Sequence, residues 1–297
     1  MSHVYLLIQF VSRVNFNFEV TTIQGLPVTV FTHNLSNPML LSVPGNGGWN
    51  YMNEELADSL AILSGFTLAT FDMRGIPDNT ECPTQWETNI QDTISITEAL
   101  LDKYQKKRLS LLGYSTGTYI ATEAAAMVPD LYAAVIAMAL IPTQNKRVDT
   151  FTKQRLWDNY RIPGWVGDVI KYTDYQPLMV GLAVMNEKIA VEITDDIALQ
   201  GTMPNDDAVF KKMAACLSAI AFPLVNLEQI HLECPLHVIQ GRKDTMGANE
   251  VIAEQVAAMQ APSKNIHWVK NAGHVLHLTN PDEVHDIFTA IRLTINE

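Results

Sequence analysis

The chain is predicted to be an α/β protein, a mostly parallel sheet of about eight strands with helices on both faces and an inserted helical cap. Three observations carry that expectation. From Met39 onward, apolar runs alternate with segments of helical periodicity, and such alternation means parallel strands joined by helical crossovers. The first two runs flank Gln24-Gly25, a hairpin dipeptide. One interval, 142–231, breaks the alternation and then lets it resume.

The strand-like runs fall at 18–23, 27–32, 39–43, 66–71, 109–112, 133–139, 236–239 and 266–269. Helical periodicity follows at 54–63, 89–104, 118–128, 248–259 and 281–293. In the second of these helices Ile90, Ile94, Thr97, Leu100 and Leu101 repeat every three or four residues, which puts them on one face. The interval 142–231 reads as several helices punctuated by Pro163, Pro177, Pro204 and Pro223, and it is rich in aromatic rings. An independent helical domain would explain it. A cap inserted into the sheet domain explains it better, because the strand pattern restarts at Pro235. The expected division is a core of 1–141 and 232–297 with a cap of 142–231.

Composition limits the function classes. A net charge of −12 over 297 residues disfavours nucleic acid and anionic membrane surfaces as partners. Cys82, Cys216 and Cys234 show no C-x-x-C spacing, so neither a disulfide framework nor a zinc site is indicated. The run 4–11 reads as an extra strand or packing segment and not as a secretory signal, which needs a basic start and a small-residue cleavage site. No stretch reaches the roughly 18 apolar residues of a membrane span. A soluble, cytoplasmic protein is the expectation, and the chain carries no signature of oligomeric state.

The chemistry begins at "LLGYSTGTYIATEAAAM", residues 111–127, where an apolar run becomes an Ala-rich helix across a serine between two glycines. A strand–turn–helix carrying G-x-S-x-G is a nucleophile elbow, whose turn is tight enough that side chains at the glycine positions collide with their surroundings. Ser115 is then the candidate nucleophile, and a serine needs a base. Among eight histidines, His237 and His267 lie inside apolar strands, and His285 within a predicted helix. His3, His33 and His231 have no telling context. His274 sits in "KNAGHVLHLTNPDEV", just past a strand and before a helix, where active-site groups of open α/β sheets gather. His277 is its local rival. An imidazole in turn needs an orienting carboxylate. Asp244, in "LHVIQGRKDTMG", follows the preceding strand; it could also be an ordinary turn aspartate, but the order Ser115, Asp244, His274 is that of this architecture.

Acyl transfer also needs preorganised N–H donors for a developing oxyanion. The amide of Thr116 is one candidate. The other is in "SVPGNGGWN", most simply the amide of Asn46. A glycine-rich loop could instead cradle phosphate, but neither G-x-x-x-x-G-K-[ST] nor G-x-G-x-x-G is present.

Taken together, "PGNGGWN", "FDMRG", "GYSTG", "GRKD" and "NAGHVLHLTNPDEV" resemble the oxyanion loop, strand-four turn, elbow, acid loop and histidine loop of the α/β-hydrolase superfamily. The likeness runs over nearly the whole chain. It departs at Pro44-Gly45, where the superfamily commonly has His-Gly, and in "DMRGIPDNT", which lacks the usual second glycine and serine. A serine rather than an aspartate nucleophile separates the chain from members that look like dehalogenases or epoxide hydrolases. The resemblance implies a serine esterase needing no metal or organic cofactor. Its partner would be a small acyl substrate, an ester by default, with thioesters, lactones, carbon–carbon bonds and N-terminal amino acids as alternatives. A ligand receptor on the same fold is the reading from another class. Trp49, Tyr114, Trp157, Trp165 and Tyr175 are the candidate substrate-binding residues; the rings of the cap suggest an apolar or aromatic acyl group, although rings in a helical cap more often form its own core.

Overall fold

A computed structural model describes residues 17–32, 34–45, 65–74, 86–142, 226–244, 249–274 and 276–295. The expected helix at 54–63, the run 4–11 and nearly all of the 142–231 cap lie outside these residues.

All eight expected strands are present, in one sheet. They are β1 (Asn17–Ile23), β2 (Leu26–Thr32), β3 (Met39–Val43), β4 (Thr67–Phe71), β5 (Leu109–Tyr114), β6 (Tyr132–Met138), β7 (Leu236–Gly241) and β8 (Lys264–Val269). Their order is β1-β2-β4-β3-β5-β6-β7-β8. β1 and β2 form the hairpin, with Ile23 opposite Leu26. Gln24 and Gly25 both take positive φ, 53° and 79°, the geometry that closes a two-residue hairpin turn. β2 also runs antiparallel to β4, and every pair from β4 across to β8 is parallel.

The described helices are α1 (Trp86–Tyr104), α2 (Gly117–Met127), α3 (Asn249–Ala258), α4 (Leu276–Thr279) and α5 (Pro281–Arg292). Boundaries differ from expectation where tertiary contacts outweigh local preference. β5 continues through Gly113 and Tyr114, because the ladder pairs them with Ala137 and Met138. β7 continues to Gly241, paired with Val269. α1 starts at Trp86 and not at residue 89. The Trp86 indole N–H donates to Glu123 of α2 at 2.6 Å, which anchors the extra turn.

Every residue of β3, β4, β5, β6 and β7 is buried, as expected for parallel strands covered on both faces. One face packs on Ile90, Ile94 and Leu100 of α1, Tyr119 and Ile120 of α2, and Ile252 and Val256 of α3. The other packs on Val284, Phe288 and Ile291 of α5. Pro281 occupies the first turn of α5, where a missing N–H costs nothing. Among the described residues no helix is long and apolar enough to cross a membrane.

Arg74, just past β4, ties three segments together. Its guanidinium donates twice to Asp92 of α1, at 2.7 Å each, and once to the Gln24 carbonyl at 3.1 Å. The Asp92 side chain is only 9% exposed, so removing the arginine leaves a buried carboxylate without its partner. Arg74→Ala is expected to lower the unfolding free energy by roughly 1–3 kcal/mol. Urea unfolding measures it; an unchanged midpoint would show that the clamp contributes nothing.

Candidate active site

The carboxyl edge of the sheet collects the groups the sequence singled out. Ser115 follows β5, Asp244 follows β7 and His274 follows β8. The local backbone explains the two glycines around the serine. Ser115 itself has φ 53°, a left-handed conformation that is uncommon for a side-chain-bearing residue. Its N–H donates to the Met138 carbonyl at 2.9 Å, which holds the turn against β6. Its own carbonyl accepts from the Thr118 hydroxyl at 2.6 Å. A Cβ at Gly113 would come within 2.5 Å of the Thr118 Cα. A Cβ at Gly117 would lie 2.4 Å from both the Val43 and Pro44 carbonyl oxygens. The turn therefore needs glycine on both sides, against α2 in one case and against the end of β3 in the other.

The same device brings the acid and histidine loops together. A Cβ on Gly241 would sit 2.3 Å from the Gly273 carbonyl oxygen and 2.5 Å from that of Ala272. With glycine there, Arg242 and Lys243 donate their N–H groups to Val269 and Ala272 at 3.0 and 2.8 Å. Two loops thirty residues apart in sequence become one clasp.

Within that clasp the side chains meet. His274 Nδ1 lies 2.9 Å from Asp244 Oδ2, and His274 Nε2 lies 3.0 Å from Ser115 Oγ. All three residues are buried, at 4%, 5% and 4% exposure for His274, Asp244 and Ser115. A carboxylate can only accept, so Nδ1 carries a proton, and in the neutral ring Nε2 then accepts from the hydroxyl. The arrangement can move a proton from the serine oxygen to the imidazole while a fixed negative charge stabilises the imidazolium. Thr116 is the N-cap of α2, at a helix end whose N–H groups lack intrahelical acceptors.

One participant was not anticipated from the sequence. Gln240, completely buried in β7, donates its Nε2 to Asp244 Oδ2 at 2.8 Å. The signal was present, an amide inside the otherwise apolar "LHVIQ" four residues before the aspartate.

Tyr114 is 5% exposed. Its hydroxyl donates to the His274 carbonyl at 3.2 Å, and its ring lies against both His274 and His277, at centroid distances of 5.6 and 5.2 Å. Asn46, Trp49, Trp157, Trp165 and Tyr175 lie outside the described residues.

His277 contrasts with His274. It is 1% exposed, and among the described residues neither ring nitrogen has a hydrogen-bond partner. Burial, with a smaller contribution from His274, lowers its pKa to about 3. His237 and His267 face one another across β7 and β8, with nitrogens 3.4 Å apart. Burial and the second ring lower the His237 pKa to about 4. Among the described residues no cluster of three His, Cys, Asp or Glu side chains is placed to hold a metal ion.

Comparison with known proteins bears on the fold. A profile of the alpha/beta hydrolase family matches residues 40–287. A proline iminopeptidase-related protein of Thermus thermophilus superposes with a TM-score of 0.62 at 17% identity, over 95% of this chain and 98% of that one. An esterase of Rhodococcus gives 0.61 at 14% identity, over 95% and 99%. An esterase of Pyrococcus furiosus gives 0.58 at 14% identity, over 96% and 95%. Likenesses at such identities are likenesses of fold. No curated protein matches the sequence.

Two outcomes follow from this packing. Gly117→Ala should cost about 3 kcal/mol or more of stability, since the new methyl meets backbone that cannot retreat. Gly25→Ala, with φ 79° but nothing within 4 Å, should cost only about 1 kcal/mol. Chemical denaturation of both variants gives the ranking; equal losses would contradict the steric account. The second concerns pH. The pKa values of His277 and His237 are about 3 and 4 in the fold, against about 6.5 in an unfolded chain. Below about pH 6.5 the unfolded chain therefore binds protons that the fold excludes, and stability should fall as the pH drops from there toward 4. His277→Leu should lose less over that window; identical melting-temperature slopes for the two proteins would contradict the assignment.

Proposed function

The chain belongs to the alpha/beta hydrolase family, and on that premise we propose that it is a serine hydrolase cleaving a carboxylic ester through an acyl-enzyme on Ser115. The observation that carries the reading is the continuous chain of hydrogen bonds from Asp244 through His274 to Ser115. Ser115 Oγ attacks the substrate carbonyl carbon while His274 Nε2 takes its proton. The carbonyl oxygen becomes an oxyanion, received by the amides of Thr116 and Asn46. Collapse expels the alcohol, protonated by the imidazolium. Water, giving a proton to the same imidazole, then attacks the acyl carbon; the bond to Oγ breaks, the carboxylic acid leaves, and the imidazolium returns the proton to Ser115. Asp244 holds the ring in the reactive tautomer.

A thioester or lactone would serve the same machinery. The residues 142–231 are proposed as a cap that selects the acyl group, with Trp49, Tyr114, Trp157, Trp165 and Tyr175 available to line an apolar pocket. A catalytically weak ligand receptor on this fold would not need a serine hydrogen-bonded to an imidazole that a carboxylate holds in place. That contact favours the enzyme.

Ser115→Ala should abolish turnover of p-nitrophenyl esters and labelling by a fluorophosphonate, with little change in melting temperature. His274→Ala should be as severe, because the groups act as a unit. Asp244→Asn should lower kcat by roughly 10²–10⁴. A Ser115→Ala protein as active as wild type would end this reading, and slow fluorophosphonate labelling of the wild type would favour the receptor.

A further inference from the structure

We propose that Gln240 is a positioning residue that holds the Asp244 carboxylate in register with His274. The inference rests on the reading of Ser115, His274 and Asp244 as an acyl-transfer apparatus. Asp244 sits on a loop beyond β7, so its carboxylate needs something rigid to aim it. Gln240 is rigid by position. It lies in an interior strand, opposite Trp268 of β8, with no exposed surface. Its Nε2 donates to the same oxygen, Oδ2, that faces His274 Nδ1, at 2.8 and 2.9 Å respectively. One oxygen thus receives two donors, one anchored in the sheet and one on the histidine that the mechanism uses.

The residue type argues the same way. Leu236 and Val238 precede Gln240 at alternate positions of β7, which puts all three on one face. The first two join the apolar cluster beneath α2 and α3, so packing alone would place a hydrophobe at 240. Instead an amide is buried there, and its Oε1 has no hydrogen-bond partner among the described residues. An unsatisfied buried acceptor is unfavourable. The one polar contact that offsets it is the bond to Asp244. The backbone adds a second tie, since the Asp244 N–H donates to the Gly241 carbonyl at 3.1 Å, the residue after the glutamine.

The test uses the full chain and a p-nitrophenyl ester, with kcat and KM followed across pH. Gln240→Met keeps the volume and removes the donor. It should lower kcat about tenfold, in line with a slight misplacement of a catalytic group, and leave KM within about twofold at every pH. Gln240→Glu tests the donor itself. While the introduced carboxyl and Asp244 share a proton, an O–H replaces the lost N–H; when that proton leaves, two like charges repel. Its kcat/KM relative to wild type should therefore be highest at low pH and fall as pH rises, whereas the Gln240→Met ratio stays flat. If Gln240→Met fails to fold, the pH trend of Gln240→Glu still decides. Wild-type kcat in Gln240→Met, or a flat ratio in Gln240→Glu, would overturn the positioning role. Ser115→Ala in the same assay separates the two claims. If it is inactive while Gln240→Met is normal, only the role of Gln240 falls; if it is active, the reading of the site falls with it.

Discussion

The carboxyl edge of this sheet is held together by backbone contacts too close for any side chain. Gly117 presses on the last carbonyls of β3, Gly113 on the first turn of α2, and Gly241 on the histidine loop. These approaches let the three loops that follow β5, β7 and β8 converge, so that Ser115, Asp244 and His274 come within hydrogen-bond distance of one another. They also force Ser115 into a left-handed conformation, a strain of order 1–3 kcal/mol that persists only where surrounding structure over-determines it. Here the over-determination is visible. The Ser115 N–H is bound by Met138, its carbonyl by Thr118, and both neighbours are fixed in the central strands and their helix.

Burial then gives two nearby histidines different characters. His274 and His277 are both nearly inaccessible and both touch the Tyr114 ring. His274 has a carboxylate on one nitrogen and a hydroxyl on the other. His277 has no hydrogen-bond partner on either among the described residues, and burial, with a smaller contribution from His274, holds its pKa down. A residue suited to accept and release a proton is separated by three positions from one that resists protonation. Tyr114 links them mechanically, since its hydroxyl donates to the His274 carbonyl while its ring packs at right angles to that of His277.

Much of this was legible in the sequence because the features were local. Apolar runs marked all eight strands, and the glycines around Ser115 announced a steric constraint that the coordinates express as 2.4–2.6 Å contacts. What stayed illegible depended on pairing across the sheet. The expected strands stopped at residues 112 and 239, short of Gly113 and Gly241, yet pairing with Ala137 and Val269 keeps both glycines in the ladder. Gln240 passed unnoticed because an amide in a strand gains meaning only when a loop four residues later folds back over it. The start of α1 was missed for a similar reason, since the anchor of Trp86 is Glu123, thirty-seven residues away.

The central claim is that Ser115, aimed by this edge and by His274, forms a covalent acyl intermediate. Rapid mixing of the protein with a p-nitrophenyl ester, quenching in acid and mapping the added acyl mass tests it most directly. The account predicts a burst of p-nitrophenol approaching one equivalent, with the acyl mass on the peptide that contains Ser115. Full-rate hydrolysis with no acyl adduct under conditions that trap it, or an adduct on another residue, would contradict it.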